Sequence, residues 1–327
     1  MALILPETEL QKTALLRSEK GRRLSVTETT ACTYETIYYT LWELAQRYGE
    51  IAQFRVIGKS HDDRMIPMLE LGTGDSAVIC LSGLRGTERL MPSCLVWMAA
   101  EYCQAWECRW NLEDIYDVRQ LFSDWKLCFI PVLNPDGYEI YEKDYTVIRN
   151  PIYRQMLRMQ ETPSREYICN ARGMDLRRNF PTNYYRRQRI SQQPASENET
   201  KALIRLFQEN PGRGLLSFGD SAKKIVCFRQ PRSFSVNQRS YRLARHLQQR
   251  ASGFHMEKYD LEENRHDISG LSGGGSPERF YAETCRQPAF RIEIPVSVPE
   301  EGDEGIVCSL EEYRELYTLP LEYLFSL

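Results

Sequence analysis

The chemistry-bearing residues of this chain fall into a few short stretches. Arg85 and Glu88 stand three residues apart in Ile79-Cys-Leu-Ser-Gly-Leu-Arg85-Gly-Thr-Glu88-Arg-Leu90. Arg172, Arg177 and Arg178 cluster around Asp175. Asp220 follows the apolar run Leu215–Phe218, and Glu293 lies inside Phe290-Arg-Ile-Glu293-Ile. Carboxylates in such places can hold a metal ion or take a proton from water, and planar guanidinium groups grip a substrate carboxylate through paired hydrogen bonds. Arg85 has no lone pair to offer and cannot itself ligate a metal. The four histidines, His61, His246, His255 and His266, fall in no ligand-spaced motif. They read as ordinary polar residues, with His61 in a surface turn.

The elements that position these residues follow from periodicity. Ile79 to Leu90 reads as the end of a buried strand, Ala77 to Leu81, that turns at Gly83 and enters a helix near Thr87. Such strand–turn–helix ledges are where α/β proteins place their chemistry. Tyr34, Ile37, Leu41, Leu44 and Ala45 mark one face of a helix ending at Gly49. Phe54 to Ile57 and Met65 to Leu71 are strands joined by the hairpin-like turn Gly58–Arg64. Trp125 to Val132 is a near-continuous apolar run, the mark of a central strand covered on both faces. Asn134-Pro-Asp-Gly-Tyr138 follows its C-terminal end. Ser196-Glu-Asn-Glu199 reads as a capping box that opens a helix through Phe207. Gly214–Phe218, Lys224–Phe228 and Phe290–Ile294 are further strands, Gln238–Ala251 is a basic surface helix and Leu310–Phe325 a closing helix. The Gly-rich loop Ser269–Ser276 has no strand before it and no phosphate-loop signature. This alternation predicts a single α/β domain over residues 33–327, behind an N-terminal extension at 1–32. Its sheet is mixed and mainly parallel, with helices on both faces.

Composition narrows the partners. Of the 327 residues 42% are apolar, enough for a large core, and the formal net charge is −3. That charge offers no electrostatic case for nucleic acid or an anionic membrane. No stretch approaches the roughly 20 apolar residues of a membrane span, and no signal peptide is read at the N-terminus. Ten cysteines are present without a C-x-x-C, several inside apolar strands. They read as reduced, buried thiols of a cytoplasmic protein.

Five stretches, in this order, resemble the zinc carboxypeptidase family: Gly58-Lys-Ser…Arg64, the Ile79–Leu90 ledge, Asn134-Pro-Asp-Gly-Tyr138, Gly173-Met-Asp-Leu-Arg-Arg-Asn-Phe180 and Phe290-Arg-Ile-Glu293. The middle segment, with Arg149-Asn-Pro-Ile-Tyr-Arg154, is most similar to the bacterial branch that cleaves γ-D-glutamyl–diamino acid bonds in cell-wall peptides. The resemblance implies a metal-activated water, a zinc ion on two His and one Glu, a Glu as general base and arginines for the substrate carboxylate. Carried onto this chain, Glu88 matches the ligand Glu and Glu293 the general base. Arg172 and Arg178 match substrate-facing arginines, and Arg177 replaces an Asn that helps grip the carboxylate. Arg85 stands where the first His is expected. Asp220, or Gly219 if the register slips by one, stands where the second is expected. With two of three ligands replaced, the expectation is a site with no metal cofactor, its Arg85 guanidinium paired with Glu88 and Asp220. The protein would then be a catalytically inactive binder of peptides with a free carboxylate. An active peptidase with an atypical zinc site and a structural protein with a vestigial cleft are the alternatives.

Overall fold

Val78, Ile79, Cys80 and Leu81 are all buried, as an unbroken apolar run requires of a strand covered on both faces. They belong to β3 of an eight-stranded sheet. The computed structural model describes residues 31–327 apart from 184, 186–192, 231–232, 253–258, 265–274, 295–312 and 314–315. Residues 1–30 of the extension, His255, His266, most of the Gly-rich loop and part of the expected closing helix therefore lie outside the described residues. The strands are β1 (Ala52–Lys59), β2 (Met65–Leu71), β3 (Ser76–Leu81), β4 (Trp125–Ile130), β5 (Gly214–Asp220), β6 (Lys224–Phe228), β7 (Asp260–Asn264) and β8 (Ala289–Ile294). Their spatial order is β1-β2-β4-β3-β5-β8-β6-β7. The central run β4-β3-β5-β8 is parallel, whereas β1, β2 and β6 join it antiparallel to their inward neighbours. This is the mixed, mainly parallel α/β domain that the sequence implies.

The principal helices are α1 (Tyr34–Arg47), α2 (Leu90–Cys108), α3 (Pro135–Lys143), α4 (Asn198–Glu209), α5 (Phe234–Ala251), α6 (Pro277–Thr284) and α7 (Leu319–Phe325). One face of the sheet packs Val78, Cys80, Leu216 and Phe218 against residues of α1, α2, α5 and α7. The other packs Ile79, Leu81, Ile130 and Leu215 against Leu203 and Phe207 of α4 and Phe280 of α6. Each fully buried Leu, Ile or Phe contributes about 1.5–3 kcal/mol, so the two layers fix the strand ends firmly in space.

Two local features set the site. Gly83 ends β3 with φ 62°, and a Cβ there would lie 2.6 Å from the Pro131 carbonyl oxygen. Only glycine permits this turn. The helix after it starts at Leu90, and its N-cap residue Arg89 offers no side-chain cap. The cap is borrowed from β5. Asp220 accepts from the backbone N–H groups of Arg89, Leu90 and Met91 at 2.9–3.1 Å, which satisfies donors that a helix start leaves open.

Candidate functional site

The C-terminal ends of β3, β5 and β8 converge on one cleft, the place where parallel α/β sheets carry their sites. Glu88 is buried there. One of its oxygens accepts from the Leu84 N–H at 2.9 Å and, more distantly, from the Arg85 N–H at 3.4 Å. The other is ion-paired with Arg177. Gly219 and Glu293 are register partners on parallel strands, so their substituents share a face. The Arg177 guanidinium fills that face, because a Cβ on Gly219 would lie 2.6 Å from its Nη2. Glu293 sits between two cations, with Arg177 at 3.9 Å and Lys224 at 3.6 Å. Arg85 turns away and pairs with Asp175 at 2.9 Å. Arg291, two residues before Glu293 on β8, makes a bidentate pair with Glu278 at 2.8 and 2.9 Å. These pairs set Arg85, Arg177, Lys224 and Arg291 against Glu88, Asp175, Glu278 and Glu293, four charges on each side.

The structure corrects the expected pairing of Arg85 with Glu88 and Asp220. Arg177 is the cation that meets Glu88. Asp220 points to the opposite face and caps α2, so Gly219, not Asp220, is the β5 residue that faces the cleft. Burial first, and the charge of Glu88 second, push the Asp220 carboxyl up to about 7, against the three N–H donors that favour its ionised form. Arg172 reaches Glu197 at 3.4 Å. Arg178 is half-buried, and among the described residues its guanidinium has no ion-pair partner.

A second charged group lies beside the Asn170–Arg172 segment. His61, Glu197 and Glu199 offer ligand atoms all within 4.8 Å of one another. His61 is half-buried here and no plain surface residue. The Ser196–Glu199 stretch is also not the expected capping box. Glu197 occupies the N-cap of α4 without a side-chain cap bond, and both glutamates turn inward toward Asn170. Burial disfavours the Glu197 anion, but hydrogen bonds from His61, Ser196 and Asn170 outweigh it and hold the carboxyl at about 2.

The family model described as "Zinc carboxypeptidase" matches residues 37–309. The chain belongs to the zinc carboxypeptidase family. It is 27% identical over 150 residues to carboxypeptidase B of Astacus astacus, covering 45% of this chain and 43% of that protein. It is 26% identical over 199 residues to carboxypeptidase O of Bos taurus, covering 59% of this chain and 47% of that one. The chain thus matches less than half the length of these curated relatives. Among solved structures it resembles bovine thrombin-activatable fibrinolysis inhibitor in complex with tick carboxypeptidase inhibitor. There the TM-score is 0.68 at 18% identity, with 90% of this chain and 95% of that chain covered, a likeness of fold.

The expectation of no metal cofactor is corrected by two findings. The family is one of zinc carboxypeptidases, and the chain assembles the His61–Glu197–Glu199 group, a nitrogen and two carboxylates of the kind zinc accepts. The family's own zinc position is a separate matter, and the residues there do not fit the ion. Arg85 cannot ligate, Gly219 has no side chain, Asp220 is spent on α2, and Glu88 already holds a guanidinium. No step is therefore derived through a zinc ion at Glu88. Sequence reasoning missed Arg291, Glu278 and Lys224. The signal for Arg291 was present: strand alternation sends residues 291 and 293 to one face, so a cleft-facing Glu293 implies a cleft-facing Arg291.

Proposed function

We propose that this zinc carboxypeptidase family member binds peptides by their free carboxylate and does not hydrolyse them at Glu88. One observation carries the reading: Arg177 is paired with Glu88 over Gly219, so the carboxylate that would ligate an ion already holds a guanidinium. Glu293, the general-base position, faces cations on both oxygens. Arg178, whose guanidinium has no ion-pair partner among the described residues, is the arginine that would receive the carboxylate. The likeness of residues 149–154 to the γ-D-glutamyl–diamino acid peptidase branch makes cell-wall peptide fragments the first ligands to test. The free thiols, mostly buried, support a cytoplasmic setting. No helix among the described residues is long and apolar enough to cross a membrane.

Binding of a fluorescent peptide with a free C-terminal carboxylate, read by anisotropy, tests the proposal. Arg178→Gln should weaken it about 10- to 100-fold, the value of a hydrogen bond to a charged group, and C-terminal amidation should do the same. Equal affinity for the acid and the amide would sink the reading. A second reading is favoured by the His61 group: an active peptidase with an atypical metal site. Zinc-dependent release of a C-terminal residue, abolished in His61→Ala, would select it.

A further inference from the structure

We propose that His61, Glu197 and Glu199 form a divalent-metal site of the zinc type that clamps the Gly58–Arg64 turn onto the start of α4. The site is separate from the cleft at Glu88, and the inference does not depend on the peptide-binding proposal. Four observations carry it.

The first is spacing. His61 Nε2 and Glu197 Oε2 are 3.2 Å apart. Two ligands about 2.0–2.1 Å from one zinc ion at a tetrahedral angle stand about 3.3 Å apart. Glu199 completes a face of three donors, all within 4.8 Å of one another.

The second is a conflict at His61. Its Nε2 lies 3.2 Å from the Asn198 N–H, which requires a lone pair, and 3.2 Å from a Glu197 carboxylate oxygen, which requires a proton. One ring nitrogen cannot present both. A cation bound to Nε2 and to the carboxylate removes the clash between the two acceptors. Asn198 is exposed, so water can serve its N–H.

The third is support around the donors. Asn170 Nδ2 donates to Glu197 Oε2 at 2.8 Å and lies 3.3 Å from Glu199 Oε2, and Ser196 Oγ donates to Glu197 Oε1 at 2.6 Å. Outer hydrogen bonds of this kind fix ligating carboxylates in place.

The fourth is charge. Asp62, Asp136, Glu197 and Glu199 are all buried together, whereas the cations in contact with them are Arg64, on Asp62 and Asp136, and Arg172, on Glu197. Among the described residues this buried group thus holds more carboxyls than guanidiniums in contact with them. The His61 side chain is 14% exposed, which leaves an entry from solvent and room for water as a further ligand.

The ion would join residues far apart in sequence, so its role is to lock a turn and a helix start beside the arginine-bearing segment. Metal content of the purified full-length chain, dialysed against zinc and then against buffer, tests this. About one zinc per chain is expected, falling at least 10-fold in His61→Ala and Glu197→Gln and unchanged in Glu88→Gln. Adding EDTA should lower the melting temperature of the wild type to that of His61→Ala. Zinc absent from the wild type overturns the proposal, as does zinc retained by His61→Ala and lost in Glu88→Gln. If His61→Ala does not fold, the imidazole 15N resonances of the wild type decide. Zinc must shift the His61 signal, and no shift overturns the site.

Discussion

Replacing Arg177 by Met is expected to destabilise the protein by about 3–5 kcal/mol, the cost of stranding a buried carboxylate. Arg177 is the counter-ion of Glu88 and lies within 3.9 Å of Glu293, and Glu88 and Glu293 are 4% and 5% exposed. Without the guanidinium, Glu88 must stay charged in a poorly solvated cleft or take up a proton. Urea denaturation measures the loss. The companion variant Arg177→Met with Glu88→Gln removes both charges and should recover most of it, because a neutral amide can still accept from the Leu84 N–H. This outcome separates a structural ion pair from a substrate-binding arginine. A residue kept only for ligand binding costs stability or leaves it unchanged, so its removal would be neutral or stabilising. A neutral Arg177→Met would therefore remove the basis for reading the cleft as an ion-pair network.

The second large effect is in acid. Burial alone would raise the Glu278 carboxyl, but the charge and bidentate hydrogen bonds of Arg291 outweigh it and bring it from 4.5 down to about 2. The folded state therefore binds this proton less readily than the unfolded chain. Its contribution is fully present above about pH 4.5 and is lost as pH falls toward 2. The shift corresponds to about 3 kcal/mol. Unfolding free energy of the wild type should fall steeply over this window. Glu278→Gln should be less stable at neutral pH, because Arg291 loses its partner, yet should show an acid slope shallower by one proton. Parallel slopes for the two proteins would show that the pair contributes nothing to acid sensitivity.

Much of the fold was legible because it rests on burial. The run Trp125–Val132 announced an interior strand, and β4 lies between β2 and β3. Tyr34 to Ala45 announced a helix face, and α1 packs it. What stayed hidden has specific causes. β7 is Asp-Leu-Glu-Glu-Asn, a polar edge strand with no apolar alternation to reveal it. The cap of α2 stayed hidden because it comes from Asp220, which no local pattern can report. At the site, motif matching singled out Glu88, Arg177 and Glu293, which lie within ion-pair distance of one another, but it could not say which arginine meets which acid. Side-chain direction decided that. Ser196–Glu199 looked like a capping box, and the same letters instead send two carboxylates to a histidine 136 residues upstream of the first of them. His61, expected in a surface turn, is half-buried against Glu197, since three-dimensional proximity is invisible to spacing rules when the partners lie so far apart.

The loan of Asp220 to α2 has a consequence for how the chain acquires its structure. Residues 89 to 91 are made long before residue 220, and until β5 docks beside β3 the N–H groups of the first turn of α2 are left to water in place of Asp220. The helix that follows Glu88 therefore gains its side-chain cap only from a strand encoded more than a hundred residues later.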